Sequence, residues 1–403
     1  MRMRSRLWIL PVLTALVAVA VALPALSQPS ARPEGAAAPA AGPGRGAAPR
    51  PEATGVVLAV HGGAGTALRR EDTDARTEKA YRDGLADALR AGRKVLRDGG
   101  GSVAAVEAAV RSLEDNALFN AGKGAVFTED AGHELDASVM RGSDLAASAV
   151  AGVRHVRNPV SAARLVMERT PHVLLTGEGA DAFAVRNGLQ AVTQDYYWTQ
   201  ARWDSLMKAK EQSRGGTSPS ASGKPADGKS ADGKTAGGKP AGGKPAGGKA
   251  FGAEAVGESA MGTVGAVALD RKHGLAAATS TGGMTNKMAG RVGDSPLVGA
   301  GTYAKNGTVA ASATGHGEVF IRGAATSTIS HLVEFGGRDV TAAAHEVVHE
   351  RLAGLGGTGG VIALGPDGVL AAPHSSEGML YGYLTAGGEI VTKIFPDESH
   401  TGR

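Results

Sequence analysis

The sequence predicts a layered α+β or α/β domain interrupted once by a low-complexity tract. Three observations predict it. Short apolar runs of strand length lie on both sides of the tract, so both sides feed a sheet. Segments of helix length lie in blocks between those runs, the order expected of sheets covered by helices. The tract itself, from about Gly215 to Gly248, repeats Gly, Lys, Pro and Ala with too little apolar surface to bury, so it reads as an insertion within one domain. The blocks that remain, 55–204 and 261–403, hold roughly 290 residues, enough for one sizeable core or two. The intervening 205–260 is read as a Lys/Gly/Pro linker.

The chain begins with an address. Three Arg lie within Met1 to Arg6, Leu7 to Leu23 is apolar, and Ala25-Leu26-Ser27 places small residues where a cleavage site needs them. Residues 1–27 read as a secretory signal peptide cut before Gln28, which places the protein in a periplasm or outside the cell. A membrane anchor is the alternative, at the short edge of spanning length and containing Pro11. On the first reading the only membrane contact is through the signal before its removal. Residues 28–54 are a Pro/Ala/Gly spacer.

Val56 to Val60 is a short apolar run read as a buried strand, ending in a Gly-rich turn, His61-Gly62-Gly63-Ala64-Gly65. That turn lacks the spacing, the Lys and the Ser/Thr of a phosphate loop. Thr73 to Arg97 reads as a helix stopped by Asp98-Gly99-Gly100-Gly101, and Ser102 caps a second helix with Val103, Val106, Val110 and Leu113 on one stripe. Glu134 to Met140 and Ala146 to Val153 read as strands. Asn158-Pro159 is an N-cap followed by Pro at the first helical position. Val173 to Leu175 and Gly179 to Asn187 give a short strand and a short helix. Val264 to Leu269 and Leu275 to Ser280 form a hairpin around Arg271-Lys272-His273-Gly274. Val309 to Ala313 is a strand, Glu318 to Phe335 and Val340 to Leu352 are helices, and Gly359 to Leu364 with Val369 to Ala372 close the pattern.

Charge and composition exclude some classes. The net charge of +4 falls to +1 without Arg2, Arg4 and Arg6, and residues 208–249 alone carry +6 from eight Lys and one Arg against three acids, so the rest is near −5. A basic folded face for nucleic acid is therefore not expected. Zero Cys removes disulfides, thiol catalysis and thiolate metal sites.

One stretch carries chemistry. Gly262-Thr263 stands between the tract and a β-branched run. A Thr hydroxyl there could attack the Gly262 carbonyl, cut the chain and leave Thr263 as a new N-terminus. Its free α-amino group, with a pKa near ~8, would then serve as base to its own hydroxyl. The plain alternative is a Gly-Thr pair opening an ordinary strand. Arg291 and Asp294 suit an amino-acid zwitterion, or form an ordinary surface ion pair. Thr281 and Thr314 by themselves read as strand threonines.

The residues from Gly262 to Asp270, Ala278 to Lys287, Gly290 to Gly301 and Ala313 to Glu318, together with His61 to Gly65 and Phe119 to Gly122, resemble in order the isoaspartyl peptidase/L-asparaginase family, the plant-type asparaginases. The resemblance covers nearly all of both blocks. It implies a four-layer αββα sandwich of the N-terminal-nucleophile hydrolase type, self-cleavage between Gly262 and Thr263, and a dimer of αβ units. It implies L-asparagine and β-aspartyl dipeptides as small-molecule substrates. By position, Thr263 is the nucleophile and Thr281 hydrogen-bonds its hydroxyl. Arg291 grips the substrate α-carboxylate, and Asp294 with the Gly317 carbonyl holds the ammonium. Thr314 and Gly315 form the oxyanion hole, and Asn120 orients the Thr263 amino group or the bound intermediate. No cofactor is implied for the chemistry. A structural sodium ion is implied on the backbone carbonyls of Leu113, Glu114, Asn116, Phe119, Ala121 and Lys123. His61, His316, His345 and His349 fall outside the family's catalytic positions, and His345 and His349 are read as an exposed helical face. A glycosylasparaginase acting on glycosyl-Asn, and an inactive secreted amino-acid-binding module, are the competing readings.

The tract supports one prediction directly. It carries no periodic apolar residues, and long insertions in surface loops cost little entropy. Deleting Gly223 to Lys249 is expected to leave processing and asparagine hydrolysis largely intact, read by gel and by ammonia release. Loss of soluble, processed protein would show that the tract serves the fold.

Overall fold

The computed structural model describes residues 55–65, 68–215 and 262–398. The signal-peptide, spacer and linker readings fall outside these residues, apart from the first part of the linker range. Two sheets form. The first, of eight strands, runs β12-β11-β1-β5-β6-β2-β3-β4, and the second, of four, runs β10-β9-β8-β7. In chain order the strands are β1 (Val56–Gly65), β2 (Leu135–Arg141), β3 (Ala147–Val153), β4 (Leu174–Thr176), β5 (Val264–Leu269), β6 (Leu275–Thr281), β7 (Thr302–Lys305) and β8 (Val309–Gly315). They continue with β9 (Gly359–Leu364), β10 (Leu370–Ala371), β11 (Gly378–Thr385) and β12 (Ile390–Lys393). Every pairing is antiparallel except β3 with β4.

Alternation along the strands builds four layers, because successive side chains face opposite sides of a sheet. Leu58 and Val60, Ala266 and Ala268, and Ala276 and Ala278 pack beneath the helices α1 (Ala75–Arg97), α2 (Ser102–Glu114), α3 (Pro159–Arg169) and α4 (Gly177–Arg186). The residues between them, Ala59, Val267 and Ala277, face Ala310, Ile362 and Leu364 of the second sheet. On that sheet's far side, Val309, Ala311, Ala313, Val361 and Ala363 pack against α6 (Gly317–Arg322), α7 (Ala325–Glu334) and α8 (Val340–His345), which runs on as a π-turn over Glu346–Leu352. Helix, sheet, sheet, helix is the αββα order. Most of the largest fully buried side chains, among them Leu58, Leu85, Leu89, Leu113 and Phe119, lie under the first helical layer. At ~1.5–3 kcal/mol each, that layer supplies much of the hydrophobic stabilisation. The inter-sheet layer is instead rich in Ala and in buried hydroxyls: Ser138, Thr279, Thr302 and Ser312 are all fully buried.

Several expectations are corrected. The Gly-rich run after Val60 is not a turn: β1 continues through it to Gly65, with a bulge between His61 and Gly63 that Gly63 accommodates at φ 121°. The segment 318–335 is two helices. Ala324 adopts a left-handed conformation, and the second helix takes its first hydrogen bonds from loop carbonyls, Thr326 N–H to Ala300 O and Ser327 N–H to Gly299 O. The N-terminus of α2 is capped from a distance: Gly101 is the N-cap and the Ser102 N–H donates to Asp270 Oδ2 at 2.9 Å. Asn158 does precede Pro159, but its amide donates to Asp115, and the Glu114 carboxylate accepts the Val160 N–H at 2.9 Å. A further helix, α5 (Gln200–Gly215), runs past the linker boundary expected at 205, with Arg202 and Leu206 buried. The strands β7, β11 and β12 were not anticipated.

Candidate active site

Thr263 sits at the head of β5, buried in the floor of a cavity of about 210 Å³. Its hydroxyl donates to Thr281 Oγ1 at 3.2 Å, and the same Thr281 oxygen accepts the Gly283 N–H at 2.9 Å. Thr281 ends β6, the neighbour of β5, so the hairpin brings the two hydroxyls together. Thr314, near the end of β8 in the second sheet, accepts the Ala64 N–H at 3.1 Å, and a Cβ built on Gly262 would lie 3.2 Å from its hydroxyl. Thr314 therefore stands beside the Gly262–Thr263 peptide, with its own proton free of that bond. Gly315 lines the cavity at φ 143°.

The opposite wall carries charge. Asp294 is buried, and its Oδ2 has no hydrogen-bond partner among the described residues. Burial pushes its carboxyl up to about 7, with the nearby Arg291 pulling the other way. A buried, unpaired carboxylate oxygen is costly until a cation reaches it. Arg291 lines the same cavity and holds Glu318, with Nε and Nη2 each 2.9 Å from Oε1. Gly317 packs against both groups: a Cβ there would lie 2.8 Å from Asp294 Oδ1 and 3.0 Å from Arg291 Nη2. Only a residue without a side chain lets helix α6 come this close.

Asn120 also lines the cavity, with its amide donating to the Gly283 carbonyl at 2.7 Å and its oxygen accepting the Val126 N–H at 2.9 Å. One amide hydrogen remains for another partner. Asn120, Gly262, Thr263, Thr281, Arg291, Asp294 and Gly315 thus line one cavity, while Thr314 and Gly317 pack against residues of its wall. The sequence reading missed Glu318 and the outer wall of His316, Thr358, Ser375, Ser376 and Glu377. Glu318 and His316 stand beside Gly317 in the quoted stretch, so adjacency is an available signal for both, whereas Thr358, Ser375, Ser376 and Glu377 carry none. His61 is buried and bonded at both ring nitrogens. His345 and His349 lie exposed on one helical face, ring centroids 5.2 Å apart. No metal-binding cluster of His, Cys, Asp or Glu occurs among the described residues.

The carbonyl loop follows the end of α2 and carries Asn120 between Phe119 and Ala121. Glu114 O accepts the Lys123 N–H at 2.7 Å and Asn116 O accepts the Phe119 N–H at 3.2 Å. A Cβ at Gly122 would lie 2.4 Å from Glu114 O. The buried guanidinium of Arg202 takes the carbonyls of Gly124 at 2.8 Å and Leu118 at 3.4 Å, neither of which belongs to the expected set. Neutral backbone oxygens in one tight loop are donors that suit a hard cation.

Two packed sheets, antiparallel but for one pairing, between helical layers, with a threonine hydroxyl at the head of an inner strand, define an N-terminal-nucleophile hydrolase. Within that class the chain belongs to the asparaginase family, whose model matches residues 54–394. It is similar to the isoaspartyl peptidase of Escherichia coli (strain K12), 46% identical over 345 residues that cover 86% of this chain and 98% of the relative. The isoaspartyl peptidase of Salmonella typhimurium is 47% identical over 339 residues, covering 84% and 98%. The isoaspartyl peptidase/L-asparaginase of Mus musculus is 38% identical over 327 residues, covering 80% and 86%. Among the described residues no helix is long and apolar enough to cross a membrane.

Proposed function

We propose that this chain is an autoprocessing threonine hydrolase that cleaves β-aspartyl dipeptides and the side-chain amide of L-asparagine. The observation that carries the reading is the cavity itself: the Thr263 hydroxyl on its floor faces a wall made of Arg291 and the buried Asp294. The relatives' names favour this reading over a glycosylasparaginase or an inactive binding module.

Before processing, the Thr263 hydroxyl attacks the Gly262 carbonyl; an acyl shift and hydrolysis then free the Thr263 amine. In turnover that amine takes the hydroxyl proton as Oγ1 attacks the substrate's side-chain carbonyl. The Thr314 hydroxyl and the Gly315 N–H stabilise the oxyanion that forms. The C–N bond breaks, the leaving amine takes the proton, and an acyl-Thr263 ester remains. Water, deprotonated by the same amine, attacks the ester, releases aspartate and returns the proton to Oγ1. Thr281 fixes the direction of the nucleophile by accepting its hydrogen, and Asn120 steadies the terminus. Arg291 holds the substrate α-carboxylate in place of Glu318, because a planar fork suits a carboxylate. Asp294, aided by the Gly317 carbonyl, holds the ammonium.

The reading extends to what surrounds the site. A sodium ion on the carbonyls of Leu113, Glu114, Asn116, Phe119, Ala121 and Lys123 would stiffen the loop leading to Asn120. Two αβ units pair as a dimer, and the signal sequence sends the protein to a periplasm or the exterior. The deciding experiment measures amine release from β-aspartyl dipeptides and ammonia release from asparagine, beside N-terminal sequencing of any small fragment. Turnover of neither substrate, or a fragment starting anywhere but Thr263, would refute the reading.

Asp294 gives the reading a pH signature. Its folded pKa is raised to about 7, so the ionised form needed for an ammonium builds as pH rises through 7. The kcat/KM is expected to climb across that range, with a second rise from the Thr263 amine near ~8. Asp294→Asn should lower kcat/KM and remove the first rise only. In stability the sign is reversed. Between the ordinary carboxyl pKa of 3.8 and about 7 the folded state keeps a proton that the unfolded chain has lost, so this group makes stability fall as pH rises. Denaturant titrations of the unliganded protein across that window check it.

A further inference from the structure

His61 is a buried residue whose two ring nitrogens can be assigned from their partners alone. Nδ1 lies 3.0 Å from the Thr263 carbonyl oxygen, which can only accept, so Nδ1 carries the proton and donates. Nε2 then holds the lone pair and accepts the Ser312 hydroxyl at 2.8 Å. Burial also lowers the imidazole pKa to about 3, which keeps the ring neutral.

The bond to Thr263 falls where the sheet supplies none. The pairing of β1 with β5 ends at His61 and Gly265, and that of β5 with β6 begins at Val264 and Ser280. Thr263 is thus two residues beyond the ladder on the β1 side and one beyond it on the β6 side, and a residue at a chain end frays unless it is tied down. Gly265 leaves the room for the tie: a Cβ there would lie 2.4 Å from His61 Nε2 and 2.0 Å from Ser312 Oγ.

The tie continues. Because Ser312 gives its proton to His61, its oxygen accepts from Thr279 Oγ1 at 2.7 Å. Thr302 donates to Thr279, and Ser138 Oγ lies 2.8 Å from Thr302 Oγ1 and 2.5 Å from the Ser295 carbonyl. Ser295 follows Asp294. The directed chain of hydroxyls thus runs from the nucleophile across the layer between the sheets to Thr302, the first residue of β7, and the one proton of Ser138 is shared between Thr302 and the Ser295 carbonyl.

We propose that His61 is a positioning residue for the Thr263 nucleophile, holding its carbonyl from Nδ1 and anchored in turn through Ser312 and Thr279 to Thr302 at the head of β7. The inference rests on the proposed reading of Thr263 as nucleophile. A near-attack geometry tolerates little displacement, and a shift of ~1 Å can lower turnover about 100-fold.

The test compares His61→Asn, whose amide nitrogen falls near the Nδ1 position, with His61→Gln, which reaches toward Nε2, and with His61→Ala. Rates are measured on a β-aspartyl dipeptide per molecule of cut protein, counted by mass spectrometry. His61→Ala and His61→Gln are expected to lose about 100-fold in kcat with KM little changed, and His61→Asn to recover most of it. Ser312→Ala should lower kcat by about tenfold by freeing the far side of the ring. Equal losses in Asn and Gln, or a loss confined to KM, overturn the proposal. An inactive wild type refutes the functional reading instead. A second measurement stands without activity or variants that fold: imidazole-edited proton–nitrogen NMR of the wild-type protein should show the His61 proton on Nδ1, and a proton on Nε2 overturns the assignment.

Discussion

Thr263→Ala is expected to yield a chain that is never cut and turns over neither asparagine nor a β-aspartyl dipeptide. Both events use one hydroxyl. It must reach the Gly262 carbonyl first and the substrate carbonyl later, and in the structure it is oriented by a single bond to Thr281 at 3.2 Å. Removing the nucleophile lowers kcat by on the order of 10⁶, below detection here. Thr263→Ser separates the hydroxyl from the methyl that restricts it, because a β-branched side chain is stiff at χ1. Ser should cut slowly and turn over at a reduced rate. A denaturing gel, N-terminal sequencing and steady-state kinetics report on each step, and turnover by Thr263→Ala would remove Thr263 from the mechanism.

Arg291→Lys is expected to behave in the opposite way. The guanidinium stands across the cavity from the Gly262–Thr263 peptide and is engaged with Glu318 through Nε and Nη2. Lys keeps a charge but loses the two-pronged grip. Processing should run normally while kcat/KM on asparagine falls by roughly 2–4 kcal/mol, the range for truncating one partner of a buried charged contact. Glu318 remains, so the substrate carboxylate would compete for a weaker cation. If Arg291→Lys blocks cutting as fully as Thr263→Ala, then Arg291 supports the fold and the assignment of the pocket fails.

What the sequence disclosed divides along a physical line. Elements with a strong local pattern, such as 56–60, 264–269, 275–280 and the helix ending at Arg97, were legible because alternation or an apolar stripe is written in adjacent residues. Elements set by distant partners were not. Asp270 caps a helix 168 residues away, and Glu114 takes the place of Asn158 at another. The break at Ala324 depends on carbonyls of Gly299 and Ala300. Val340 to Leu352 was seen as one helix, but the π-turn at its end leaves no mark in composition. At the site, residues with a distinctive chemistry in a long quoted stretch could be singled out. The outer wall around Ser375 to Glu377 and the bonds of His61 could not, because a loop path in the first case and strand pairing in the second, rather than residue type, put them there.

The strand order has a bearing on what the proposed cut would do to the molecule. Strand β1 lies between β11 and β5, and β2 lies beside β6, so segments from before and after residue 262 alternate in one sheet. The four-stranded sheet lies wholly after residue 262, but neither segment alone completes the eight-stranded one, and separating them would expose ladder edges on both. A cut at 262 would therefore leave both segments held in the same sheet. Once unfolded, however, the halves are two solutes. An intact chain refolds at a rate independent of dilution, whereas the cut pair must first meet, at a frequency set by its concentration. Processing at Gly262–Thr263 would thus make refolding depend on concentration, so that in dilute solution durability would rest on the height of the unfolding barrier.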